Sequence, residues 1–316
     1  MPNLPAAPPH ALIRWSHRVE PGLTLRGWRT PPSGKPLLHF VHGNGFCGLS
    51  YWAMLRRLGS HYDLFLSDVQ GHGDSDAGER FDGWQVTVER LFAVIERFAP
   101  EWGEVPVHGV GHSFGGVLTL SLAALHPQLF SSIVVLDPVL FPPELMQAEI
   151  ESRQRGESPM ARDARLRTAL WPSRAAAWRH LHQRGGYKGW SDEAFACFID
   201  HALYADDGGQ YRLKCPPQIE AAIYSSVPLD YWRLIPQIDC PGAILHGDST
   251  MPFIAPAVAR ALQLNPGLQA EQVTGGHCFM QEQPAATAER VAQWLQRLAP
   301  SAADCAATAR QALHTP

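Results

Sequence analysis

The chain has 316 residues, with 26 basic and 30 acidic side chains and a formal charge of −4. That length holds one large α/β domain with an insertion, or two modest domains. The mild charge, without a basic stripe or a polyacidic tail, argues against a nucleic-acid or membrane-surface partner.

The opening Met1-Pro2-Asn3-Leu4-Pro5 lacks the charged and apolar regions of a signal peptide. No apolar run reaches the roughly 20 residues that span a bilayer, so a soluble cytoplasmic protein is expected. Residues 11–29 read as a hairpin split at Pro21-Gly22. Buried strands follow over Leu37–Val41 and Leu64–Asp68, joined through a helix over Tyr51–Leu58. Val88, Leu91, Phe92, Ile95 and Phe98 have helical spacing, and that helix is expected to stop at Pro100. Val105–Val110 and Ser132–Leu136 are further strands, with a helix between them that ends before Pro127. Continuous apolar strands alternating with helices imply a parallel sheet covered on both faces.

The alternation stops over residues 140–239, a stretch rich in Arg, Trp and Pro with helical segments and no clear strand. It resumes with the strand Gly242–His246, a helix over Pro256–Gln263, the strand Leu268–Val273 and a helix over Pro284–Leu298. The Ala-rich residues 301–316 are expected to be a flexible tail. The six cysteines, at 47, 197, 215, 240, 278 and 305, show no metal-ligand spacing. Neither a metal nor a cofactor is expected.

The most specific pattern is Gly111-His112-Ser113-Phe114-Gly115-Gly116 between a strand and a helix. Strand-Gly-x-Ser-x-Gly-helix is the nucleophile-elbow pattern, which holds a serine on a sharp turn at a helix N-terminus. Two further strands end in His42-Gly43-Asn44-Gly45 and in Asp68-Val69-Gln70-Gly71-His72-Gly73-Asp74-Ser75. A late strand is followed by Gly275-Gly276-His277. In this order the motifs resemble the α/β-hydrolase fold family over roughly residues 11–298.

The resemblance implies a mostly parallel twisted sheet with helices on both faces. It implies a core of residues 1–139 and 240–300 and an inserted helical cap over 140–239, acting as a lid. Ser113 is then the nucleophile and His277 its base, while His42, His72 and His112 orient loops, with His112 pointing away from the reacting centre. Backbone N–H groups of Asn44 and Phe114 form the oxyanion hole, and Phe46, Cys47 and Cys278 lie by the substrate pocket. The triad acid has two candidates. The usual family position holds Thr250, which carries no charge, and Asp248 is two residues early. Asp137, after the strand that follows the elbow helix, occupies the acid position of the haloalkane-dehalogenase branch. Asp137 is favoured and Asp248 is the alternative.

Because the elbow residue is serine rather than aspartate, the dehalogenase and epoxide-hydrolase chemistries of this fold are excluded. The expected reaction is acyl transfer by a Ser-His-Asp triad on a small-molecule substrate, most simply a carboxylesterase acting on small to medium apolar esters. The alternatives are a carbon–carbon bond hydrolase of meta-cleavage type and a non-catalytic ligand-binding member of the fold. Trp171, Trp178, Trp190, Trp232, Phe195, Phe198 and Tyr204 are expected mainly to fill the cap's own core, with one or two lining an acyl pocket. The arginines of this stretch are expected on solvated, mutually paired faces. Oligomeric state is not legible.

Overall fold

The computed structural model describes residues 12–156 and 158–299. In chain order the first part contains β1 (Ile13–Glu20), β2 (Leu23–Arg29), β3 (Leu37–Val41), α1 (Trp52–Leu58), β4 (Asp63–Asp68), α2 (Trp84–Trp102), β5 (Val107–His112), α3 (Phe114–Leu125) and β6 (Ser132–Leu136). The inserted part contains α4 (Pro143–Gln154), α5 (Pro159–Leu166), β7 (Leu170–Trp171), α6 (Arg174–Leu181), α7 (Asp192–His201), β8 (Leu203–Ala205), β9 (Tyr211–Leu213), α8 (Pro217–Ser225) and α9 (Tyr231–Leu234). The chain then returns through β10 (Gly242–Gly247), α10 (Ile254–Leu264), β11 (Leu268–Val273), α11 (Phe279–Glu282) and α12 (Pro284–Leu298).

Eight of these strands form one sheet in the order β1-β2-β4-β3-β5-β6-β10-β11. Pairing is antiparallel at the β1–β2–β4 edge and parallel from β4 to β11. The strands β3, β4, β6 and β10 are buried along their whole length because both faces of the sheet are covered. Their side chains alternate between two cores. Phe65, Ile133, Val135 and Ile244 pack with α2, α3 and α10 on one face. Leu64, Leu66, Val134 and Leu245 pack with α1 and α12 on the other. This arrangement is the α/β-hydrolase fold. No helix among the described residues is long and apolar enough to cross a membrane.

Three of the inserted helices, α5, α6 and α7, start at serines. Ser158, Ser173 and Ser191 each accept the N–H three residues on, from Ala161, Ala176 and Ala194. Such caps satisfy donors that a helix start leaves unpaired.

The structure departs from the sequence expectations in two places here. The inserted stretch is not purely helical, because β7, β9 and β8 form a small antiparallel sheet. Helix α2 runs through Pro100 to Trp102, whose buried ring meets Phe65 at 5.0 Å between centroids. That packing offsets the ladder bond lost at the proline near the helix end. The aromatic residues Trp178, Trp190, Phe195 and Phe198 fill the insert's own core and dock it on Phe46, 5.5 Å from Trp190. The tail expected over 301–316, together with Cys305 and Ala11, lies outside the described residues.

Candidate active site

Ser113 sits between β5 and α3 with φ +55°, a left-handed conformation uncommon for a residue with a side chain. Its N–H donates to the Leu136 carbonyl at 3.0 Å, which ties the turn to the neighbouring strand. The flanking glycines permit this. A Cβ on Gly111 would stand 2.3 Å from the Gly115 carbonyl oxygen, and one on Gly115 would stand 2.3 Å from that of Val41. Side chains at either position would force the elbow open.

His277 arrives on the loop after β11. Gly247, at the tip of β10, lies so close to that loop that a Cβ there would meet the Gly275 oxygen at 2.3 Å. His277 Nε2 then lies 2.9 Å from Ser113 Oγ, and Nδ1 lies 2.7 Å from Asp137 Oδ2. With the carboxylate as acceptor, Nδ1 carries the ring proton and Nε2 accepts from the serine hydroxyl.

Asp137 is fully buried with φ +44°, and its N–H donates to the Leu245 carbonyl at 2.7 Å. Its Oδ1 accepts the Gly247 N–H at 2.9 Å, and its Oδ2 also accepts the Thr250 hydroxyl. Thr250, at the position where the usual family acid stands, is thus a donor to a carboxylate on another strand. Asp248 is turned elsewhere. Its exposed carboxylate accepts from the Ser249 hydroxyl at 2.9 Å and the Gly275 N–H at 3.1 Å, and these bonds hold its pKa below the ordinary aspartate range. The alternative acid is therefore not brought to His277.

Ser113, His277, Asn44, Phe46, Phe114 and Cys278 line one cavity of about 760 Å³. Its wall is largely apolar, with Trp84, Val139, Leu181, Ile223 and Met251 contributing, while the exposed Met160 and Leu166 also line it. Phe114 holds the first N–H of α3, one of those a helix cannot pair internally. Cys47 is a correction. It lies outside this cavity, buried behind the loop with Sγ 3.2 Å from Ser50 Oγ, and it lines a separate space beside Asp68 and Lys214. Burial drives its thiol pKa up to about 12, and that of Cys278 rises for the same reason. Both are neutral thiols. None of the Trp and Phe residues singled out in the insert lines the cavity, nor does Tyr204; Tyr187 and Tyr224 do.

The three loop histidines hold the strand ends together. The His42 Nδ1–H donates to the Gly43 carbonyl at 2.8 Å, while Nε2 accepts the Val69 N–H at 3.1 Å. His72 Nε2 accepts the Gly45 N–H at 2.9 Å and faces the Cys215 thiol at 3.3 Å, with Nδ1–H donating to the Gln70 carbonyl. Burial lowers the His72 pKa to about 4, which preserves the neutral ring this pattern requires. His112 does not simply point away, and sequence reasoning missed its place. The Gly43 N–H donates to Tyr51 Oη, the Tyr51 hydroxyl donates to His112 Nδ1 at 2.7 Å, and His112 Nε2–H donates to the His277 carbonyl at 2.9 Å. One buried chain of bonds therefore joins the 42–45 loop to the loop carrying His277. Burial, reinforced by His277, holds the His112 pKa well below the usual histidine range.

The insert reaches the same loop. Asn44 Nδ2 donates to the Glu220 carbonyl at 3.0 Å. Two of its arginines are not on solvated faces. Arg153 is buried against Glu149, and Arg167 bonds Glu220 and Tyr187 inside the cavity wall. Among the described residues no group of three or more His, Cys, Asp or Glu side chains could hold a metal ion.

Comparison with known proteins agrees with this frame. The family model described as "Alpha/beta hydrolase family" matches residues 40–290. A monoglyceride lipase of Rattus norvegicus is 34% identical over 123 residues, 37% of this chain and 40% of that protein. A type I acyl-CoA thioesterase of Penicillium roqueforti is 37% identical over 109 residues, 34% of this chain and 23% of that protein. The chain thus spans less than half the length of either relative. The crystal structure of E-2-(acetamidomethylene)succinate hydrolase superposes with a TM-score of 0.72 at 23% identity, covering 90% of this chain and 100% of that one, and so shares the fold. With most of its length matched by the family model, the chain belongs to the alpha/beta hydrolase family.

Proposed function

We propose that the protein is a serine hydrolase working by acyl transfer, a carboxylesterase for small to medium apolar esters. The observation that carries this reading is the Ser113–His277–Asp137 relay, with distances of 2.9 and 2.7 Å, opening into a largely apolar cavity.

In this reading Ser113 Oγ attacks the ester carbonyl as His277 Nε2 takes its proton. Asp137 keeps the imidazole in the required tautomer and stabilises the imidazolium. The oxyanion is received by the N–H groups of Phe114 and Asn44, each worth about 3–4 kcal/mol in such sites. His277 then protonates the leaving alcohol, and water, activated by the same ring, releases the acid. Residues 140–239 act as a cap over the core of residues 12–139 and 240–299, with the substrate cavity between them and Met160, Leu166 and Gly185 on its exposed rim. The partner is a small-molecule ester.

A fluorophosphonate probe and a p-nitrophenyl ester series test this. Wild type is expected to label at residue 113 and to hydrolyse the esters, with both lost in Ser113→Ala. A protein that leaves both probe and esters untouched, or that cleaves only a vinylogous diketone, would overturn the esterase reading.

A further inference from the structure

The cavity wall beside the 42–45 loop contains a buried ion pair that the acyl-transfer steps leave unused. Arg167, just after α5, donates through one amino group to Glu220 Oε2 and through the other to Tyr187 Oη, each at 2.6 Å. The side chains of Arg167 and Glu220 are only 20% and 9% exposed, and all three residues line the cavity with Ser113 and His277. The pair rests on Gly45, where φ is +83° and a Cβ would stand 2.9 Å from Glu220 Oε1 and 3.5 Å from the Arg167 guanidinium. Gly45 directly follows Asn44, so these charges lie one residue from the proposed oxyanion donor.

A guanidinium in the wall of a substrate cavity would ordinarily select a carboxylate. At Arg167 that role is already filled. Glu220 supplies the anion, and Tyr187 supplies a further acceptor. Burial pulls the Arg167 pKa down, but Tyr187 and Glu220 together carry it above the ordinary arginine range, so the pair is charged internally and neutral toward the cavity. A second carboxylate entering this space would meet Glu220 in a poorly solvated site and lose its own hydration.

We propose that Glu220 is a specificity-determining residue: by occupying Arg167 it reserves the cavity for uncharged, apolar acyl groups and rejects acyl groups ending in a carboxylate. The proposal rests on the reading of Ser113 as the acylated nucleophile.

The test compares kcat/KM for p-nitrophenyl hexanoate with that for mono-p-nitrophenyl adipate, which carries a terminal carboxylate on a chain of the same carbon number. Wild type is expected to favour the hexanoate by about 100-fold or more. Glu220→Gln keeps the shape and the backbone carbonyl that holds Asn44, yet frees the guanidinium. It should narrow that preference by about tenfold or more, the scale of one charge-assisted hydrogen bond. Combining it with Arg167→Gln should restore the wide preference. Should Glu220→Gln fail to fold, Arg167→Gln alone takes its place. Its unpaired Glu220 should shift selectivity about tenfold toward an ester whose acyl chain ends in a quaternary ammonium. Equal use of both esters by wild type, or ratios unmoved in the folded variants, overturns the proposal. A wild-type protein that hydrolyses neither ester and resists fluorophosphonate labelling fails at the earlier step, the reactivity of Ser113.

Discussion

Asp137→Asn tests the relay most directly. The native carboxylate takes hydrogen bonds from Gly247 N–H on Oδ1, and from His277 Nδ1–H and the Thr250 hydroxyl on Oδ2. Asparagine keeps the shape but offers one acceptor oxygen and one amino group. Gly247 N–H can only donate, so it holds the amide oxygen on its own side and turns the amino group toward His277. Nδ1 must then accept, and the ring proton moves to Nε2, where it faces Ser113 Oγ. That tautomer cannot take the serine proton, and the charge that would stabilise the imidazolium is gone. A wrong tautomer of this kind costs about 10⁴ in kcat, which is about 5.5 kcal/mol at 1.36 kcal/mol per decade. The assay is steady-state kcat on p-nitrophenyl butyrate, with a thermal unfolding curve to establish that the variant is folded. Asp248→Asn serves as the comparison and should stay within about threefold of wild type, since surface changes rarely matter. A folded Asp137→Asn enzyme within about tenfold of wild type, or an equal loss in Asp248→Asn, refutes the reasoning.

Thr250→Val removes a hydroxyl donor from a buried carboxylate, a change of about 1.5–3 kcal/mol for a bond to a charged group. Its urea midpoint should fall, and an unchanged midpoint would show that the bond contributes nothing. Gly45→Ala places a side chain at φ +83° and 2.9 Å from Glu220 Oε1. The left-handed backbone alone costs about 1–2 kcal/mol, and kcat should drop more than KM rises because the loop carrying Asn44 is displaced; a variant with wild-type kcat counts against that placement. Acid should destabilise the fold. Burial lowers His39 to about 3 and His72 and His108 to about 4, from 6.5 in the unfolded chain. Between about pH 6.5 and 4 the unfolded state therefore binds more protons, and stability is lost as the pH falls. Asp68, raised by burial to about 7, works in the opposite direction over much of the same window but is one group against several. Urea midpoints that stay level or rise from pH 7 to 4.5 would contradict this balance.

The sheet was legible because its strands are continuous apolar runs bounded by Gly and Pro, and because the Gly-x-Ser-x-Gly turn fixes where a strand hands over to a helix. The choice of acid was harder. Asp137 and Asp248 each follow a strand, and the difference between them lies in how the loop after β10 turns, with Thr250 rather than Asp248 facing the relay. Strands β7, β8 and β9 span only two or three residues each, too short for a period to register. A usable signal existed even so: Asp206-Asp207-Gly208-Gly209, between β8 and β9, is a hairpin-type turn. The bond chain from Gly43 through Tyr51 and His112 to His277 joins residues far apart in the chain, and no local pattern announces it.

The contact of Asn44 with Glu220, beside that of His72 with Cys215, bears on how this protein could be re-engineered. Exchanging residues 140–239 as a module for those of another hydrolase would replace more than the walls around the substrate. Residues 215–220 brace a loop of the host scaffold, and a graft without an equivalent brace would leave residue 44 free to drift. Recombination points for chimeras therefore belong after residue 139 and before Cys215, so that the host keeps its own stretch from 215 onward.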